Sequence, residues 1–145
     1  MNLFYIIALV AFLPIATAAQ TAEPSPIVAS TDVLLTDLLW IKRPLVVFAD
    51  SPNDPNFIRQ LQLLEQNAQD LIDRDVLVIT DTNPAANSEI RLKLRPRGFS
   101  LVLMDKDGQA KLRKPLPWDV REITHAIDKF PLRVQEELER YPAGR

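Results

Sequence analysis

Short blocks of adjacent apolar residues alternate along this chain with stretches where apolar positions recur every three or four residues. Blocks of that length predict buried strands, and the three-to-four spacing predicts amphipathic helices. Leu34, Leu35, Leu38 and Leu39 predict a short helix over 33–40, with Asp32 placed to cap it and Lys42, Arg43 and Pro44 ending it. Leu45, Val46, Val47, Phe48 and Ala49 form a continuous run with β-branched members, which reads as a buried central strand. Asp54 followed by Pro55 is a cap with proline at the first helical position. Phe57, Leu61, Leu64, Ala68 and Leu71 then share one face of a helix reaching about residue 71. Val76, Leu77, Val78 and Ile79 supply a second strand, completing a right-handed parallel βαβ unit.

Asn83 and Pro84 repeat the cap-plus-proline signal and predict a shorter helix with Ile90 and Leu94 inward, ended by Pro96, Arg97 and Gly98. Residues 99–104 are a third apolar strand. Asp105, Lys106, Asp107 and Gly108 make a tight hairpin turn. Residues 109–114 return as a polar edge strand whose cations discourage edge pairing. Asp119 and Glu122 form a capping box, with Val120, Ile123, Ile127 and Phe130 on the buried face behind it. Pro131 breaks that helix, and Leu132, Val134, Leu138 and Tyr141 predict a C-terminal helical extension from about residue 131. The expected fold is α/β and three-layered. A mixed sheet of about four strands, a parallel βαβ unit plus an antiparallel hairpin, is flanked by helices in one domain over 32–141.

The first apolar block has a different meaning. Residues 3–15 are almost wholly apolar and are followed by Ala16, Thr17, Ala18 and Ala19. This is the pattern of a signal peptide over 1–19, cleaved after Ala18 or Ala19, although no Lys or Arg precedes Leu3. The run is too short to span a bilayer, so no transmembrane segment is expected after cleavage. The absence of cysteine at the cleavage point excludes a lipoprotein anchor. Residues 20–31 read as a flexible lead-in. The expected location is periplasmic or secreted.

Composition narrows the chemistry. The 145 residues carry 17 Lys+Arg against 19 Asp+Glu, a formal charge of -2, which gives no global basic field for nucleic acid. Cysteine is absent, which excludes disulfides, thiol exchange by this chain, thiol nucleophiles and thiolate-ligated metals. Only 3 glycines occur, and no phosphate-cradling glycine loop is present.

Trp40-x-x-Arg43-Pro44-Leu45-Val46-Val47-Phe48-Ala49, then Asp75-Val76-Leu77-Val78, then 97–108 from Arg97-Gly98-Phe99 to Lys106-Asp107-Gly108 carry a resemblance. They are similar to an uncharacterised thioredoxin-like domain of unknown function, the P-DUDES type. Its relatives occur in extracellular sushi-repeat and coiled-coil-domain proteins. The resemblance covers about 32–137 and implies a thioredoxin-like fold without settled activity. It further implies that Asn53 and Asn56 stand where the two thiols of an oxidoreductase would be. Ser100 takes the place of the cis-proline that faces them. With both thiols and the proline replaced, no redox activity is expected. Asn53, Asp54 and Asn56 remain as a binding loop at a helix N-terminus, or as plain capping and turn residues.

Asp50 and Asp81 directly follow the two parallel strands, where acidic metal sites form. They are the basis for an alternative reading as an enzyme with a divalent metal, of the hydrolytic or phosphoryl-transfer class. Strand-end turn duty is the plainer reading, and no cofactor or metal ligand set is assigned. His125 is alone on a polar helix side, and no serine has a triad partner. Trp40 and Trp118, beside charged or proline-rich turns, read as half-buried anchors.

Charge is uneven in one place. Residues 91–114 hold Arg91, Lys93, Arg95, Arg97, Lys106, Lys111, Arg113 and Lys114 against Asp105 and Asp107, a net +6. Arg91 and Arg95 are spaced to share a helix face, and Lys111 and Arg113 a strand face. If the helix end and the hairpin adjoin, they form a basic patch suited to anionic lipid, glycan or an acidic protein; a solvated surface is the plainer reading. No nucleic-acid-binding module accompanies it. The expected function is that of a non-catalytic thioredoxin-like binding or envelope-associated protein.

Overall fold

The structure, a computed structural model, describes residues 27–143. The expected leader, 1–19, lies outside the described residues. The central element is β2 (Arg43–Phe48), every residue of which is buried. It pairs in parallel with β3 (Val76–Asp81), from Arg43 opposite Val76 to Phe48 opposite Asp81. On its other side β2 pairs antiparallel with β4 (Ser100–Met104), which forms a hairpin with β5 (Ala110–Lys114). The parallel unit and the hairpin are as the hydrophobic blocks predict.

The sheet nevertheless has five strands in the order β1-β3-β2-β4-β5. The extra one, β1 (Ile27–Ala29), lies within the segment read as a flexible lead-in and pairs in parallel with β3. Three residues are too few to show an alternation. What holds them is the open edge of β3 and the packing of Ile27 and Val28 against opposite cores.

Alternation along β2 separates those two cores. Leu45 and Val47 face α2 (Pro55–Gln66), α3 (Ala68–Ile72) and α5 (Val120–Ile127) through Phe57, Leu64, Leu71, Ile123 and Ile127. Val46 and Phe48 face α1 (Leu35–Leu38) and α4 (Glu89–Leu94) through Leu35, Leu38, Ile90 and Leu94. Both faces of the sheet are thus covered, which is why its central strands carry unbroken apolar runs. A polar last helix, α6 (Pro131–Arg140), opens with Pro131 after the N-cap Phe130.

Four local expectations are corrected. Asp32 caps nothing: it ends a 3₁₀ turn, and α1 begins only at Leu35. The helix expected over 55–71 breaks at Asn67, which leaves the helical basin at φ -137°. Asn83-Pro84 opens a 3₁₀ turn, and Ser88 is the residue that caps α4, accepting from Arg91 N–H. Trp40 is no half-buried anchor; it is 66% exposed on a left-handed backbone at φ 65°. The hairpin turn does need Gly108, at φ 81°, since a Cβ there would lie 2.9 Å from Leu39 Cδ2.

Candidate functional site

Strand pairing fixes which loops share an end of the sheet. Phe48, the last residue of β2, lies opposite Asp81, the last of β3, and opposite Ser100, the first of β4. The loops at 49–54, 82–88 and 95–99 therefore meet at one end, and every site residue singled out from the sequence except Lys111 lies there or beside it.

Within the 49–54 loop the polar groups serve the backbone. Asp54 Oδ1 accepts from Asn56 N–H at 2.8 Å and Phe57 N–H at 3.4 Å, so it caps α2. Ser51 Oγ accepts from Asn53 N–H at 3.1 Å. Asp50 and Asn53 are exposed, and Asn56 is half-buried. These residues hold a tight turn in the position that the resemblance assigns to the thiols.

Asp81 is not an open acidic site. It is buried, and Arg91 Nε and Nη2 donate to its Oδ1 at 3.0 and 2.8 Å. Ser88 Oγ donates to Oδ2, and Ser30 Oγ donates to the same oxygen at 2.9 Å. Burial pushes the Asp81 carboxyl up, but the hydrogen bonds from Arg91, Ser88 and Ser30 outweigh it and hold it below the ordinary carboxylate range. Its oxygens are committed to protein donors, and Asp50 stands exposed without joining them. The divalent-metal arrangement imagined for Asp50 and Asp81 is therefore not formed.

The same contacts remove Arg91 from the basic surface. It is 9% exposed, its Nη2 also donates to Ala49 O at 3.0 Å and Asp81 O at 3.1 Å, and its guanidinium lies over the Phe48 ring. It ties the ends of β2 and β3 together. Arg95 does not share its face, because the helix ends there: Arg95 is the C-cap, with left-handed φ 48°. Lys111 lies apart as well. A register shift after Leu103 leaves it unopposed in the ladder, and it faces Asp107 at 3.9 Å.

The basic cluster that does form is different. Arg95, Arg97 and Arg113 line a concavity of about 490 Å³ with Leu94, Phe99, Ser100 and Pro115. Arg113 Nη2 donates to Leu94 O at 2.7 Å, which joins the hairpin to the end of α4. All three arginines are exposed, and among the described residues none has a carboxylate within ion-pair distance. Ser100 is buried at the mouth of β4, where the resemblance puts the missing cis-proline; no cis peptide occurs among the described residues. Arg97 belongs to the charged stretch, and sequence spacing does not single it out. Its position between Pro96 and Gly98, with no helix to carry it, gave no periodicity to follow.

At the opposite end of the sheet an ion network does structural work. Arg43 is fully buried and donates from Nε to Asp105 Oδ1, from Nη1 to Arg74 O and from Nη2 to Glu136 Oε1, each at 2.9 Å. Lys106 Nζ bridges Asp75 at 2.8 Å and the same Glu136 oxygen at 2.9 Å. Burial pushes the Glu136 carboxyl up, but Arg43 and Lys106 prevail and hold it at about 2. This network fastens α6 to the strand ends.

A mixed sheet of this order, with helices on both faces and the βαβ unit before the hairpin, defines a thioredoxin-like α/β protein. Solved structures share it: reduced 2-Cys peroxiredoxin of Plasmodium vivax at TM-score 0.54 and 16% identity, covering 75% of this chain and 86% of that one. Chloroplastic thioredoxin z aligns at TM-score 0.53 and 21% identity, over 71% of this chain and 90% of that one. Prx1a of Plasmodium yoelii aligns at 0.51 and 17%, over 75% and 82%. At these identities the likeness is one of fold. No curated protein matches the sequence. Residues 34–136 match the model of the domain of unknown function DUF4174, and the chain belongs to that family.

Proposed function

We propose that this chain is a non-catalytic thioredoxin-like binding protein that works outside the cytoplasm, and that it engages an anionic partner through the Arg95, Arg97 and Arg113 end of the sheet. One observation carries the reading. In a chain with no cysteine, the sheet end where the resemblance would place two thiols instead presents three exposed arginines around a concavity. Like charges gathered on one surface repel, and an anionic partner converts that repulsion into attraction. Export rests on the leader pattern over 1–19 and on the resemblance to P-DUDES-type domains of extracellular sushi-repeat and coiled-coil-domain proteins.

The test compares the protein with a variant in which the exposed Arg95 and Arg97 are both glutamine, leaving in place Arg113 and its bond to Leu94 O. The variant should elute from heparin at clearly lower salt and bind anionic vesicles less, with a nearly unchanged melting temperature. Equal retention of the two proteins removes the basic face from the reading. N-terminal sequencing of the natively expressed protein should begin at Ala19 or Gln20; intact Met1 in a soluble cytoplasmic fraction overturns export.

A further inference from the structure

Resting on that reading of the basic face, we propose that the Arg95–Arg97–Arg113 concavity is a site for a phosphate monoester attached to a small organic body. The walls divide into two kinds. Arg95, Arg97 and Arg113 supply guanidinium donors, while Leu94, Phe99 and Pro115 supply apolar surface. A volume of about 490 Å³ far exceeds a bare phosphate and falls within the range of small-ligand sites, which combine apolar lining with a few placed polar groups. Three guanidiniums against no nearby carboxylate among the described residues match a dianionic, many-acceptor group better than a single carboxylate. Ser100, buried at the start of β4, adds a neutral polar residue to the lining.

The backbone supports the same assignment. Arg95 closes α4 in the left-handed region at φ 48°, where glycine or asparagine is the usual choice. A side chain with a Cβ is disfavoured on that backbone although a cation suits a helix C-terminus, and the position places its charge at the rim of the concavity. Arg113 is fixed from the other side by its bond to Leu94 O. The two elements thus bring their charges together across the α4–β5 junction.

The experiment titrates the exported protein with phenyl phosphate, inorganic phosphate and phenyl sulfonate, followed by amide chemical shifts. Phenyl phosphate should move Arg97, Phe99 and Ser100 saturably and bind more tightly than inorganic phosphate. Affinity should rise between pH 5 and 7, as the monoester's second proton leaves at about pH 6, and phenyl sulfonate should not share that rise. Arg95→Gln with Arg97→Gln should weaken phenyl phosphate binding about tenfold or more. Arg95→Gly should weaken binding while raising the melting temperature, an outcome that a collapsed fold cannot imitate. Vesicles carrying phosphatidic acid, compared with phosphatidylglycerol, decide the source of the group: preference for the former assigns a lipid headgroup, and binding of phenyl phosphate alone assigns a soluble ester. If phenyl phosphate leaves these amides unmoved while heparin retention still depends on the arginines, the monoester site is wrong and the anionic face stands. If heparin retention is also independent of them, both fall.

Discussion

The guanidinium of Arg91 meets the carboxylate of Asp81 at 2.8 Å in the interior, between the ends of the two parallel strands. One contact thereby decides against two surface roles, since Asp81 is unavailable to a metal and Arg91 to an anion. Breaking a buried pair strands the remaining charge, at a cost of roughly 3–5 kcal/mol. Arg91→Met should therefore destabilise the protein by about 3 kcal/mol in urea unfolding. Arg95→Gln, at an exposed position, should stay within about 0.5 kcal/mol. Equal, small effects of the two substitutions would return Arg91 to the surface.

Stability should fall steeply in acid, and the sign follows from the network at the other end of the sheet. Glu136 titrates at about 2 in the folded chain against an ordinary 4.5. A carboxyl depressed on folding contributes stability that is fully present above its unfolded value and lost as pH falls through the folded one. Asp81, also held low, adds in the same direction. Melting temperature should thus hold from pH 7 to about 5 and drop between about 4.5 and 2. Glu136→Gln should lower stability at pH 7 and flatten that drop; an unaltered pH profile in this variant would show that α6 is fastened by something else.

Redox turnover should be absent. With no sulfur nucleophile in the chain, added protein should leave the reduction of insulin disulfides by dithiothreitol at its background rate. Turnover proportional to protein would require a thiol that a partner supplies, and would displace the binding reading.

What the sequence made legible was local. Asp54-Pro55 and Asp119 predict their helix starts because a cap is made by side chain and backbone a few residues apart. The strands β2, β3 and β4 are legible because burial on both faces leaves only apolar residues there. Asn83-Pro84 misleads because a 3₁₀ turn and an α-helix share the same opening, and only the following Asn87 at φ 48° ends it. The inward turn of Arg91 did leave a trace. It follows Ile90 and precedes Leu94 by three, so it lies on the buried side of α4. Charge counting along the chain masked that geometry. The concavity at Arg97 had no local signature, since it arises only when the end of α4 meets β5.

The edge strand β1 offers the most exposed prediction about the fold. Residues 27–29 pair with β3, Ile27 and Val28 pack on opposite cores, and Ser30 Oγ donates to Asp81 Oδ2 at 2.9 Å. A segment that merely leads into the domain could be removed without consequence. A strand whose last contact helps satisfy a buried carboxylate cannot, because its loss uncovers β3 and withdraws one of the donors to Asp81. Ser30→Ala should cost about 1 kcal/mol. A chain beginning at residue 31 should lose several times that, about 3 kcal/mol or more, as two apolar side chains and the edge pairing go with it. A chain beginning at residue 27 keeps all of these contacts and is the control. Urea unfolding of the three proteins at pH 7 measures the differences. Equal midpoints for the chains starting at 27 and 31 would restore the flexible lead-in and leave β3 as the true edge of the sheet.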